Sequence, residues 1–464
     1  MTERATRLGF DIIGWLQRRE SPLLQAGIAR LLRLAQPIAA SAFSRNVSVM
    51  LIGTVLGQVL SVLLSPVLTR IYGPVDFGTL GVYMSALNIL VGLSALRYEI
   101  PLSTSLNEES AVSLLALCAG LLVITTSLLG LVAFLLPQKV LVATGFAHLR
   151  LARLLLPTGF AFLGAYYVMM YYATRAQDFN SIARTRISQG ITGPLSQIGL
   201  GLLGAGVSGL TIGFIIGQSS GTLLLFKRLV LSRLATLRLI SWRGIRRVAW
   251  QNRAFPLVSS WANLIDTAGA GQLVYVLVAI FYPGSVAGYM FLAERVVARP
   301  LLMVSTSLLT VFMGEIGRTM TTDPDLLRRR FLQVSSRQFM FGAAWIVTAD
   351  IAAWLAFPLI FGPSWADAVP YLLTLSVVYL VNSVIGSVNY TLQVLGRQAV
   401  AAVWQVGRVA VIVIGFVVSG RYGLSALDAI GAYAAIQVVA CGILFMMMKL
   451  SIERLPGPQP AVSR

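Results

Sequence analysis

The sequence predicts an all-α polytopic membrane protein, with twelve transmembrane helices in two six-helix lobes related by a pseudo-two-fold axis along the membrane normal. Three observations lead there. Of 464 residues, 57% are hydrophobic and only 11% are charged, and the mean hydropathy is +0.80; a soluble chain carries roughly a quarter charged residues. The apolar residues fall in separate runs, each long enough to cross a hydrocarbon core of about 30 Å as a helix. A basic stretch at 227–253 splits those runs six and six.

The elements follow in order. Residues 1–45 alternate Arg4, Arg7, Arg18, Arg19, Arg30 and Arg33 with Leu, Ile and Trp15. No continuous apolar core of a cleavable signal is present there. The segment reads as a basic cytoplasmic or interfacial extension, and Leu23, Leu24, Ile28, Leu31 and Leu32 fit an amphipathic helix on the membrane surface. The first lobe, 46–226, holds runs at 46–71, 77–97, 108–136, 149–174, 181–203 and 207–226. The second lobe, 254–449, holds runs at 254–281, 285–314, 337–361, 366–395, 398–419 and 424–448, and 450–464 is a cytoplasmic tail. Turn chemistry separates several runs, at Gly73-Pro74, Pro283-Gly284 and Gly362-Pro363.

Charge sets the orientation. The inter-lobe segment carries Lys227, Arg228, Arg233, Arg238, Arg243, Arg246, Arg247 and Arg253, and a later loop adds Arg318, Arg328, Arg329, Arg330 and Arg337. Positive loops stay inside, so both termini are expected in the cytoplasm. The same rule accounts for the net charge of +19 and removes nucleic acid as a partner, since no basic domain lies outside the membrane pattern. Cys118 and Cys441 sit within apolar runs and read as core residues, and His148 is the sole histidine, so no metal site is expected. No phosphate loop, nucleophile elbow or HExxH motif is present, and the chain reads as a non-enzyme.

A weak internal repeat supports the two lobes. The first turn reads Ile71-Tyr72-Gly73-Pro74 with Phe77-Gly78 following, and the later one Phe281-Tyr282-Pro283 with Ala287-Gly288-Tyr289. Aligning Pro74 with Pro283 places Ser85, Ala86 and Leu90 opposite Glu294, Arg295 and Arg299, so only the second lobe has charges there.

Those charges are the main functional signal. Charged groups inside a membrane are costly and turn towards protein or water. Arg295 and Arg299 are four apart and share a helix face. At about 1.5 Å per residue, Asp266, Glu294, Arg295, Asp350 and Arg408 all fall near mid-membrane, which suggests one polar centre in the second lobe. Two readings are open for Arg295 and Arg299. They face a central cavity and hold an anion through their guanidinium forks, or they pair internally with Glu294, Glu315 or Asp266. Arg97 and Glu99 form a second pair at the inner end of the second run, as an anion-recruiting mouth or as a local ion pair. Asp266, Glu294, Asp350 and Glu99 are candidates for ion coupling or for structural pairing. Tyr166 and Tyr167 are candidate sugar contacts, against the plainer reading of helix packing. Arg70 reads as an interfacial residue, as do Trp242 and Trp250.

Several stretches resemble bacterial oligosaccharide flippases of the multidrug/oligosaccharidyl-lipid/polysaccharide exporter superfamily, the polysaccharide biosynthesis proteins of O-antigen, capsule and exopolysaccharide pathways. They are PVLTRIYGPVDFGTLGVY at 66–83, ALRYEIPL at 95–102, ARTRISQGITGPLSQIGLGLLG at 183–204, GYMFLAERVVARPL at 288–301, FGPSWADAVPYLLTLS at 361–376 and LQVLGRQ at 392–398. The likeness spans about 46–450 and leaves out the N-terminal extension. It implies a V-shaped transporter in the bacterial plasma membrane that flips undecaprenyl-pyrophosphate-linked oligosaccharide outward. On that reading Arg295, Arg299, Arg97 and Arg408 are the expected pyrophosphate ligands. The partners are the lipid-linked oligosaccharide, membrane lipids, and a polysaccharide polymerase or chain-length regulator. No cofactor is expected beyond a proton or sodium gradient. The rival readings are a multidrug exporter of the same superfamily, which calls for an acidic cavity, and a membrane polymerase or ligase, which calls for a large outer loop.

Overall fold

The computed structural model describes residues 42–455, apart from 147–148, 150, 232–235, 237 and 323. Nearly all of the 1–45 extension, His148 and the end of the tail at 456–464 lie outside the described residues, as does the Glu315 side chain. Every regular element among the described residues is helical.

The first half contains α1 (Ala42–Leu63), α2 (Pro74–Val91), α3 (Glu108–Leu135), α4 (Ala152–Arg175), α5 (Phe179–Leu202) and α6 (Gly206–Leu229). Their starts are written locally. Pro74 opens α2, where a missing N–H costs nothing, and Asp76 reaches back to accept from the Gly73 N–H at 3.1 Å. Asn107 caps α3 by accepting from Glu109 N–H, and Asp178 caps α5 by accepting from Ser181 N–H, each at 3.1 Å. A helix between the halves, α7 (Trp242–Gln251), is capped by Ser241.

The second half contains α8 (Ser260–Thr267), α9 (Leu273–Phe281), α10 (Gly284–Ala293), α11 (Arg299–Thr322), α12 (Pro324–Phe361), α13 (Ala368–Gly386), α14 (Gln398–Arg421) and α15 (Ala426–Glu453). Ten of the expected spans are helices long and apolar enough to cross a membrane. The other two differ for identifiable reasons. The expected span at 181–203 is the continuous helix α5, but its polar residues, Arg184, Arg186, Ser188 and Gln189 among them, keep it below that apolarity. The expected span at 254–281 is broken, with wide π-helical turns at Phe255–Ser259 and Ala268–Gln272 and Gly271 at φ 104°. Pro256 lacks the N–H that a regular ladder needs.

The second expected span, 77–97, is also corrected. Its helix ends at Val91, and Leu96 and Arg97 turn the chain with φ of 49° and 64°. The turn drops Tyr98 and Leu102 into a small core with Cys118, Leu114 and Tyr172.

Within the first half, α5 packs on α1 and α6, and α3 on α4; within the second, α13 packs on α12 and α15. The halves meet chiefly along α2 and α10. That crossing is reciprocal: a Cβ on Gly78 would collide with the Gly284 carbonyl, and one on Gly288 with the Pro74 carbonyl. Pro74 therefore matches Gly284, one residue from the register read in the sequence. A contact in which each partner makes the other's contact is the signature of two-fold symmetry.

The same end of the molecule, that of the Gly73, Pro283 and Gly362 turns, is closed by further contacts between halves. Trp365 is fully buried and donates its indole N–H to the Thr69 carbonyl at 3.0 Å, with the Phe77 ring edge-on at 5.0 Å. Arg70, expected to be interfacial, donates to the Leu359 carbonyl at 3.2 Å.

Candidate functional site

The site is built around the run Glu294–Ala298, which forms a wide π-helical turn between α10 and α11. Pro300 follows two residues after the run and has no N–H to give to the Val296 carbonyl, so the ladder opens there. Such single wide turns often mark functional positions. This one sends neighbouring side chains into three different spaces.

The first space is a polar cavity of about 150 Å³ between the halves. Arg295 and Arg299 line it from the second half, and Arg186 lines it from α5. Gln58, Ser61, Gln189 and Gln218 complete much of the wall. Arg295 is buried and spans the interface, donating to the Ser61 carbonyl at 2.9 Å and its hydroxyl at 2.8 Å, while its Nε has no partner. Arg299 reaches Gln58 at 3.4 Å and Glu294 at 3.9 Å. Arg186 stacks over the Tyr166 ring at 5.2 Å. Within this wall three guanidinium groups share the space with no carboxylate, so the cavity suits an anion with several oxygens.

The second space is an apolar groove of about 580 Å³. It runs between α1, through Val55, Val59 and Val62, and α11 and α12, through Met303, Phe341, Trp345 and Phe357. Gln58 and Arg299 belong to both walls, so the groove adjoins the polar cavity directly.

The third space, about 310 Å³, lies inside the second half. Asp266, Glu294 and Arg408 line it together with Tyr275, Tyr379, Asn382 and Tyr433. Tyr275 donates to Glu294 at 2.5 Å, Arg408 lies over the Trp404 ring at 4.7 Å, and Gln405 donates to the Asp266 carbonyl at 3.0 Å.

The expected single polar centre is thus two chambers divided by the wide turn. Arg295 and Arg299 come together. Arg408, expected beside them, lies in the other chamber with Asp266 and Glu294. Asp350 joins neither; Ser376 donates to it at 2.6 Å. Arg97 pairs with the buried Glu99 at 3.6 Å and lines neither chamber. Burial pushes the Glu99 carboxyl above its ordinary range, against a backbone hydrogen bond and the Arg97 charge. Tyr166 is buried with its hydroxyl 3.1 Å from the Thr185 hydroxyl, and Tyr167 packs beside it, so neither ring lines the polar cavity. Arg186 and the glutamine wall were missed. Their signal was present as an arginine seven residues into a long helix otherwise rich in Gly, Ser and Gln.

A family model described as polysaccharide biosynthesis protein matches residues 67–370. No curated protein matches the chain. Among solved structures, the chain is similar to the lipid II flippase MurJ in an inward closed conformation, with a TM-score of 0.68, 12% identity, and 88% of each chain covered. It is also similar to an inward-facing multidrug resistance MATE family transporter of the MOP superfamily, with a TM-score of 0.58, 15% identity, and 86% of this chain and 95% of that one covered. At these identities the likeness establishes the fold.

Proposed function

The chain belongs to the polysaccharide biosynthesis protein family, and from that premise we propose that it is a flippase for polyprenyl-pyrophosphate-linked oligosaccharide. The observation that supports this best is the shared wall of the first two spaces. An arginine cavity beside an apolar groove matches a molecule with a diphosphate joined to a long hydrocarbon chain. Arg295, Arg299 and Arg186 hold the diphosphate, and the groove along Val59 and Trp345 takes the first isoprene units. The glutamine side of the cavity faces the glycan, where amides can exchange hydrogen bonds with hydroxyls.

In this reading the lobes are 46–226 and 254–449, joined by 227–253, and the basic end of the molecule is cytoplasmic in a bacterial plasma membrane. The turn end then faces outward and is closed. Substrate enters from the cytoplasmic side, and breaking the α2–α10 contact delivers it outward. Asp266 and Glu294 carry the coupling proton or cation in the third space, next to the arginines but on the far side of the wide turn. A polymerase or chain-length regulator receives the product.

Deletion is expected to leave lipid-linked oligosaccharide on the inner leaflet, with restoration by the intact chain and not by Arg295→Ala at equal protein level. Normal surface polysaccharide in the deletion strain, combined with sensitivity to cationic drugs, would instead favour an exporter that uses the acidic third space.

A further inference from the structure

Helix α7 lies between the two halves in the chain and packs on α3 of the first half. One face is buried: Gly244 sits against Ser113 of α3, and the Ala249 carbonyl accepts from the Tyr98 hydroxyl at 3.0 Å. Arg247 lies 3.9 Å from Glu109. The other face is open. Trp242 and Trp250 are 77% and 69% exposed, and at 100° per residue they fall on one side with Arg243 and Arg246. Among the described residues, Arg243 and Arg246 have no hydrogen bond or ion pair assigned to them.

Two registers fix the depth of this face. Ser113 is five residues into the membrane-crossing helix α3, or about 8 Å from its start. The first large exposed apolar residues of the seventh span, Leu257 and Val258, follow Trp250 by seven and eight positions, about 10 Å along a near-helical path. Both place α7 at the level where hydrocarbon gives way to headgroups. Exposed tryptophan is well suited to that level, and arginine beside it attracts anionic lipid.

We propose that the open face of α7 docks on anionic phospholipid headgroups of the leaflet on its own side. Trp242 and Trp250 seat at the headgroup–acyl boundary, and Arg243 and Arg246 pair with lipid phosphates. The buried face passes this anchorage to the start of α3 and to the turn after α2. The inference does not depend on what the central cavity carries.

The test uses the full chain purified in a neutral detergent. Short-chain phosphatidylglycerol or phosphatidylcholine is added while thermal unfolding and amide exchange over 242–251 are followed. Phosphatidylglycerol is expected to raise the unfolding midpoint and slow exchange in α7, and phosphatidylcholine to do neither. The double variant Arg243→Gln/Arg246→Gln is expected to need roughly 30-fold more phosphatidylglycerol, the worth of two interfacial charges. Arg243→Lys/Arg246→Lys keeps the charges and should respond as the parent does, which separates lipid binding from misfolding. Equal responses to the two lipids, an unchanged response in the Gln variant, or full protection by glycerol 3-phosphate without acyl chains would each overturn the proposal.

Discussion

At the scale of single residues, the cavity arginines differ in what each can lose. Arg295 already spends one nitrogen on Ser61 and keeps a buried Nε without a partner. A lysine there keeps the charge but cannot both hold Ser61 and fork onto a diphosphate. Export by Arg295→Lys is expected to fall roughly 10- to 100-fold, the value of one charge-assisted hydrogen bond, measured as surface polysaccharide at matched protein level. Arg186→Ala should fall by a comparable factor, because in the proposed function it holds the anion from the opposite half; full activity would remove it from the site. Arg295 and Arg299 were legible in the sequence because a charge in an apolar run stands out. Arg186 was not, because Arg184 beside it makes the pair look like an ordinary basic helix start. The side of the helix a charge faces is set by packing, so Arg408 and Arg295 could be found but not assigned to separate chambers.

At the scale of elements, the caps and crossings are the testable parts. Partial burial raises the Asp178 pKa, but hydrogen bonds from Ser181 and Arg228 outweigh it and hold the carboxyl below its ordinary range. A depressed carboxyl stabilises the fold above its unfolded value and loses that contribution as pH falls through the depressed one. Asp178→Ala is expected to cost about 1 kcal/mol at neutral pH, with the gap to the parent narrowing in acid, as thermal unfolding across pH would show. Gly288→Val should cost more, about 1–3 kcal/mol, because its Cβ meets backbone that cannot move aside. The long apolar helices were readable from hydropathy alone. The breaks at 92–98 and in the seventh span were not, because the few polar residues there, Ser94 and Arg97 in the first and Asp266 and Gln272 in the second, leave each run apolar enough to read as one helix. Only Pro256, Gly269 and Gly271 hint at the second break, and glycine in a membrane helix serves close packing as often as a bend.

At the scale of the whole molecule, the two halves are joined at the turn end, and that state can be probed by access. Met84 lines the polar cavity, and the native Cys118 and Cys441 are buried, so a Met84→Cys thiol can be followed against a low background. An impermeant thiol reagent is expected to label it from the basic side. Adding Trp365→Ala, which removes the bond to Thr69 and the ring against Phe77, should bring labelling from the turn side. Labelling that stays on one side would show that Trp365 does not hold the halves together. The α2–α10 crossing sets how such an opening proceeds. Bare backbone meets bare backbone at Gly78 and Gly288, so at those two points no long side chain can stretch to keep partial contact, although Phe77 and Phe291 pack edge-on along the same crossing. A gap of about 0.5–1 Å between such surfaces already forfeits a quarter to a half of their dispersion contact. That part of the junction therefore behaves more as a snap fastener than as a spring: it grips best when fully shut and loosens early in any opening.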